Sequence, residues 1–394
     1  MSSDPVVDNA QHNNKKPSSI AIALLVTLVA VAIALFAGYT SHETTDGTTA
    51  NLFGFRRLFG SSLSSSAPSI ARPTGSAAVT SAVGHKFSKS AAKGAQNSKS
   101  PSALQTDTMR TPVYFLSHGG PNIMYDSDHP AYHKLAQIGR EITGKVKPRA
   151  VVVFSAHWQA GRDTIHVNHA EMTDLIYEWV FSFCDVCFYG FPSHYYKEKY
   201  PNVGSREIAN KVIDLLRQAG INAEGVKRGL DHGVWASFKC AFEPDSNPLN
   251  VPIVQVSLFD SEDPIQHYRL GQAVSQLRDE NILIIVSGMA VHNLRDMRFT
   301  WGDPTPMPYT ASFDEALKEA VTTAPEDREQ AMAALLKRPD ARQAHPTFDH
   351  LLPIHIGAGA AGVDVGRRLW TLKEGSLSWA QYRFGEVPNA TSAL

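Results

Sequence analysis

Three histidines share one context. Val113-Tyr114-Phe115-Leu116 is an apolar run that continues through Ser117 into His118, Gly119, Gly120 and Pro121. Ala150 to Ser155 leads in the same way to His157 and Trp158, and Ile282 to Val286 leads through Ser287 and Gly288 to His292 and Asn293. Apolar runs of this kind suit strands covered on both faces, and in open α/β sheets ligands collect beyond the carboxyl ends of strands. Imidazoles far apart in sequence are therefore expected to converge, and three neutral ones suit Zn²⁺ or Fe²⁺. A fourth, His232, lies in Gly229-Leu230-Asp231-His232-Gly233 at the start of an apolar helix. It is expected to serve as an acid/base group or an extra ligand, with Asp231 influencing its tautomer. His345 and His350 stand at i, i+5, which is a poor single-face pair, so they are expected only to line a pocket.

Such residues need a scaffold, and the chain from 110 to 386 has the texture of one. β-branched runs at Val113–Leu116, Ala150–Ser155, Val251–Val256 and Ile282–Val286 alternate with helical stretches. The clearest helix is Ser205 to Ala219, with Ser205 as N-cap, Ile208, Val212, Leu215 and Leu216 on one face, and Gly220 as stop. Pro264–Arg278, Tyr309–Ala320 and a small-residue helix over Pro346–Gly362 are expected likewise. This alternation predicts one α/β domain with a mainly parallel or mixed central sheet flanked by helices.

Composition excludes several classes. Of 394 residues, 37 are basic and 38 acidic, so nothing favours nucleic acid as a partner, and three Cys are too few for a disulfide framework. The N-terminal part reads differently from the rest. Residues 1–17 are polar, and 18–39 contain the apolar run Ile20–Ala37, which would span roughly 27 Å as a helix. That run is longer than a signal-peptide core, so a single-pass anchor, and hence membrane localisation, is expected, with Lys15 and Lys16 against Arg56 and Arg57 leaving its orientation open. Residues 40–109 are rich in Ser, Ala and Gly, with no acidic residue from Gly47 to Thr106, and are expected to form a tether; 387–394 form a short tail.

Six motifs then stand in a particular order. They are Ser117-His118-Gly119-Gly120-Pro121, Ser155-Ala156-His157-Trp158, Phe188-Tyr189-Gly190-Phe191-Pro192, Gly229-Leu230-Asp231-His232-Gly233, Ser287 to Asn293, and His345-Pro346-Thr347-Phe348-Asp349-His350. From Pro112 to Phe384 the chain resembles the class III extradiol ring-cleavage dioxygenases, most closely the DOPA 4,5-dioxygenase type. The resemblance implies a LigB-like fold, a non-haem metal, and O₂-dependent opening of a catechol ring next to its two hydroxyls. It implies His118, His157 and His292 as metal ligands and His232 as acid/base group or fourth ligand. Tyr189, Asp231, His345 and His350 are expected to line the substrate pocket. Oxygenase chemistry calls for Fe²⁺; Zn²⁺ would bind the same imidazoles but has no redox role.

One stretch departs from the family. Leu175-Ile176-Tyr177-Glu178 is separated from Phe188 by Trp179–Cys187, which look inserted and carry the only Cys-x-x-Cys, Cys184 and Cys187. Without a second pair, an apolar loop, or a translated sequence absent from the mature protein, is expected there rather than a metal or redox motif. Two other functions compete with ring cleavage: a zinc-dependent hydrolase or lyase using metal-bound water, and a non-catalytic metal-binding module.

Overall fold

The computed structural model of the protein describes residues 109–177, 191–300 and 302–388. Its strands are β1 (Val113–Ser117), β2 (Ala150–Gln159), β3 (Thr164–Asn168), β4 (Asn222–Val226), β5 (Ile253–Leu258), β6 (Ile282–Gly288), β7 (Val291–His292), β8 (Gly366–Trp370), β9 (Lys373–Glu374), β10 (Leu377–Ser378) and β11 (Gln381–Phe384). Eight of them form one sheet in the order β4-β3-β5-β2-β6-β1-β11-β8, and β7-β10-β9 form a small second one. The four central strands, β5, β2, β6 and β1, run parallel, while β3 and β11 pair antiparallel to their inner neighbours, so the sheet is mixed.

The apolar runs are continuous because both faces are covered. Val113 and Phe115 enter one core and Tyr114 and Leu116 the other; Val152 and Phe154 are likewise separated from Val151 and Val153. Helices α1 (Pro130–Glu141) and α3 (His232–Ala241), with α2 (Arg206–Gln218) between them in sequence, supply part of these layers. The rest comes from α4 (Pro264–Val274), α5 (Pro308–Thr322), α6 (Pro325–Leu335) and α7 (Leu352–Ala361). The Ser205 hydroxyl accepts from Ile208 N at 3.2 Å and Gly220 takes φ +77°, so α2 begins and ends where its caps predict. The last helix is shorter than expected. A helix begun at Pro346 would hold Pro353 in its interior, without an N–H and against the preceding carbonyls, so α7 starts at Leu352 with Pro353 in its first turn.

The expected membrane localisation is corrected. No helix among the described residues is long and apolar enough to cross a membrane. The most apolar, α7, has 10 residues, all buried in the protein, and reaches only about 15 Å. Residues 18–39, like the proposed tether and most of the C-terminal tail, lie outside the described residues.

Burial of α7 also buries a histidine remote from the converging set. His355 is fully enclosed, with Nε2 3.1 Å from the Met332 carbonyl and Nδ1 3.3 Å from that of Leu351. Desolvation of the charged form outweighs both carbonyls and lowers its pKa to about 4. On acidification the unfolded chain takes up this proton first, so the stabilisation is complete above the ordinary pKa of 6.5 and is lost as pH falls toward 4. Between pH 7.5 and 5.0 this linkage amounts to about 2 kcal/mol. Urea unfolding should show the wild type losing about 2 kcal/mol more than His355→Leu over that interval; equal losses in both proteins would refute the assignment.

Candidate metal centre

The central register brings three sequence-distant segments level. Ser287 of β6 pairs with Leu116 of β1 on one side and Ser155 of β2 on the other. His118 and His157 therefore come from the two strands that flank β6, and their Nε2 atoms lie 3.2 Å from each other. His350 joins them from the segment before α7. Its carbonyl accepts from Met289 N at 3.0 Å, just past the end of β6, and its Nε2 stands 3.1 Å from His157 Nε2. One ligand nitrogen from each of His118, His157 and His350 lies within 4.8 Å of the others, the arrangement a metal ion needs.

The hydrogen bonds fix where the protons sit. The Ser287 hydroxyl donates its one hydrogen to the Gly233 carbonyl at 2.5 Å, so toward His118 Nδ1, 2.8 Å away, it accepts. His118 therefore carries its proton on Nδ1 and turns a lone pair inward from Nε2. His350 Nδ1 donates its N–H to Asp349 Oδ2 at 2.5 Å, which leaves Nε2 facing inward toward His157. Burial first, then the neighbouring imidazoles, hold His118 well below its ordinary pKa, so extra protons do not fill the gap. A single N–H on His157 Nε2 cannot serve lone pairs at both 3.2 and 3.1 Å. The centre has more inward lone pairs than protons, and a cation matches that donor set. Zinc and iron to imidazole distances of about 2.0–2.1 Å place neighbouring ligand nitrogens roughly 3 Å apart, as these are.

The remaining two expected residues flank this trio. His292 is stacked flat on His350, with ring centroids 3.7 Å apart and planes at 12°. The expected ligand set grouped His292 with His118 and His157; the structure brings His350 into that position and lays His292 against it. His232 begins α3 with its ring centroid 3.9 Å from that of His157. Burial lowers its pKa to about 4 even though Asp231 acts the other way. Gly233 makes the approach of α3 possible, because a Cβ there would lie 2.6 Å from Ser155 Oγ and 2.9 Å from His157 Cδ2.

Asp231 is fully buried and spends its oxygens on partners other than a pocket. Oδ1 accepts from Ser155 Oγ at 2.7 Å, while Oδ2 accepts from Arg228 at 2.9 Å and from Gln255. Burial would raise its pKa, but Arg228, then His157, Ser155 and His232, hold it below the usual carboxylate range. Arg228 also donates to the His157 carbonyl at 3.2 Å and lies over the Trp158 ring at 4.6 Å. His345 is not at the centre: its Nε2 lies 3.0 Å from the Ala290 carbonyl and its ring packs against Phe313. Tyr189, Cys184, Cys187 and the whole stretch 179–187 lie outside the described residues. Sequence reasoning missed Ser287, Arg228, Gln255 and Asp349. For Ser287 and Gln255 a signal existed, since each is a polar residue inside an otherwise wholly buried strand.

Similarity to known proteins bears on the same region. Residues 112–385, which include every described strand, match the catalytic LigB subunit of aromatic ring-opening dioxygenase. A 4,5-DOPA dioxygenase extradiol of Beta vulgaris is 34% identical over 284 residues, covering 69% of this chain and 96% of its own length. The protein of that name from Escherichia coli K12 is 31% identical over 252 residues, covering 64% and 85%. A crystal structure of an uncharacterized protein from Escherichia coli K12 aligns with a TM-score of 0.54 at 28% identity, covering 70% of this chain and 100% of the other. A mixed sheet that gathers buried imidazoles at its strand ends, matched along its whole length, places the chain in the LigB family as a metal-dependent extradiol ring-cleavage dioxygenase.

Proposed function

We propose that the chain opens a catechol of the DOPA type with O₂, using Fe²⁺ held by His118, His157 and His350. The observation that carries this reading is the pair of inward lone pairs, on His118 and His350, that meet at His157 Nε2. Serine and carboxylate partners orient both rings from behind, the usual arrangement for imidazole ligands. When bound, Fe²⁺ supplies a Lewis acid that also exchanges electrons between a catechol and O₂.

The protein's own groups handle protons and position. His292 is held well below its ordinary pKa, by burial first and His350 second, and His232 lies at about 4. Both are thus neutral at pH 7, the state in which an imidazole nitrogen can accept a hydrogen bond from a catechol hydroxyl. Asp231 fixes Ser155, whose hydroxyl in turn accepts from His157 N at 3.2 Å. The buried surroundings exclude bulk water from the reacting groups.

Metal analysis of single variants tests the ligand set. His118→Ala, His157→Ala and His350→Ala should each bring bound metal close to background, because each removes one inward lone pair. Full occupancy in His350→Ala with loss in His292→Ala would return the third position to His292.

The proton groups are separated by kinetics. His292→Ala and His232→Ala should retain most of the metal and lose about 10²- to 10⁴-fold in rate. Activity is measured after anaerobic Fe²⁺ reconstitution, from O₂ uptake and the yellow ring-opened product on a panel of catechols. Stoichiometric Fe²⁺ with no O₂ uptake on any catechol would overturn the reading in favour of a hydrolase, lyase or binding role; the zinc-loaded protein should bind catechols without consuming O₂.

A further inference from the structure

The small sheet places a carboxylate beside the metal centre. Leu377 of β10 pairs with His292 of β7 on one side and with Glu374 of β9 on the other. Directly opposed residues in antiparallel strands share a face, so His292, Leu377 and Glu374 project from the same side. His292 stacks on His350 from that side, so the face looks toward the proposed ligands. Two strand spacings set Glu374 about 10 Å from His292 along the row. A second route leads to the same place. The Trp379 ring occupies the position a Cβ of Gly119 would take, within 2.1 Å, directly after His118, and Trp379 Nε1 donates to Glu374 Oε2 at 3.0 Å.

Glu374 is held from one side and open on the other. His129 Nδ1 accepts from Ala131 N at 3.1 Å, so its proton is on Nε2, which donates to the same Glu374 Oε2 at 3.0 Å. The His129 ring packs on Trp379 with centroids 4.7 Å apart, fixing both donors. Two neutral N–H groups therefore orient the carboxylate without cancelling its charge. Among the described residues no Lys or Arg pairs with it, Oε1 makes no hydrogen bond, and the side chain is 34% exposed. An oriented, uncompensated carboxylate with a free oxygen suits a positively charged donor.

We propose that Glu374 binds an ammonium group on the side chain of the catechol, making cationic substituents the preferred substrate class. The distance from the imidazole cluster matches a catechol ring carrying a short amino-alkyl arm, with Trp379 as an apolar wall for that arm. This inference rests on the catechol reading above and adds the charge of the substituent to it.

Anaerobic binding titrations on the metal-loaded full chain test it without turnover. The probes are dopamine, 4-methylcatechol and 3-(3,4-dihydroxyphenyl)propionate. In the wild type, Kd should rise in that order, with the gaps narrowing as salt is added. Glu374→Gln keeps an acceptor for His129 and Trp379, and should raise the ratio of the dopamine Kd to the 4-methylcatechol Kd about tenfold. Glu374→Lys should reverse the order of dopamine and the propionate. Equal weakening of all three probes would show a merely structural role, and an unchanged ratio would likewise overturn the proposal. Charge-ordered binding without O₂ uptake by the Fe²⁺ protein would leave this inference standing and overturn ring cleavage; ring cleavage without charge preference would do the converse.

Discussion

The structure turns on a shortage of protons among buried imidazoles. His118, His157, His232, His292 and His350 are gathered at the ends of three adjacent strands, where burial disfavours charge on His118, His232 and His292. Neutral rings each offer one lone pair and one N–H, and here the N–H of His118 is committed outward to Ser287 and that of His350 to Asp349. The inward side is left rich in lone pairs at hydrogen-bond distance. Water would satisfy such a cluster in a larger cavity; at separations of 3.1 and 3.2 Å a cation does so more completely.

The strand-end histidines were legible because their position follows from local chemistry. A short, β-branched apolar run suits a strand covered on both faces, and a polar residue at its end then lies at the sheet's rim. That reasoning placed His118, His157 and His292, and the capping pattern placed α2. It did not bring His350 to the cluster. His350 stands in a segment without helical or strand period, and its position depends on long-range contacts such as that from Met289 N to its carbonyl, which sequence spacing does not encode. The start of α7 has a local origin instead: Pro353 is excluded from the interior of a helix begun at Pro346 but serves in a first turn.

Buried charge illustrates how rigidity is obtained at the site. Asp231 and Arg228 form an ion pair at 2.9 Å, with the carboxylate wholly removed from water. Such a pair adds little net stability when compared with apolar packing, but loss of one partner would strand the other. Its value here is geometric. Asp231 is the residue before His232 and holds Ser155, two residues before His157, while Arg228 holds the His157 carbonyl. One buried pair thus ties β2 to the first turn of α3, and with them two of the five imidazoles. None of this is visible as a motif, because the partners sit 76 and 71 positions apart in the chain.

The two sheets divide the work of the site. The large sheet is buried on both faces and fixes the imidazoles, since shifting any central strand by one residue would exchange its two core faces. The small sheet has only two-residue strands and a tight Gly375–Ser376 turn, so it contributes little to the core. It carries His292 to the cluster through β7 and leaves Glu374 at the rim, one hairpin away. The residues of β9 are only half-buried, so substitutions there disturb fewer buried contacts than those at the central strand ends, which disturb the proton arrangement itself. Strand ends of the large sheet hold most of the imidazoles, and on the proposed reading β9 beside them is where the fold would vary the substituent it accepts.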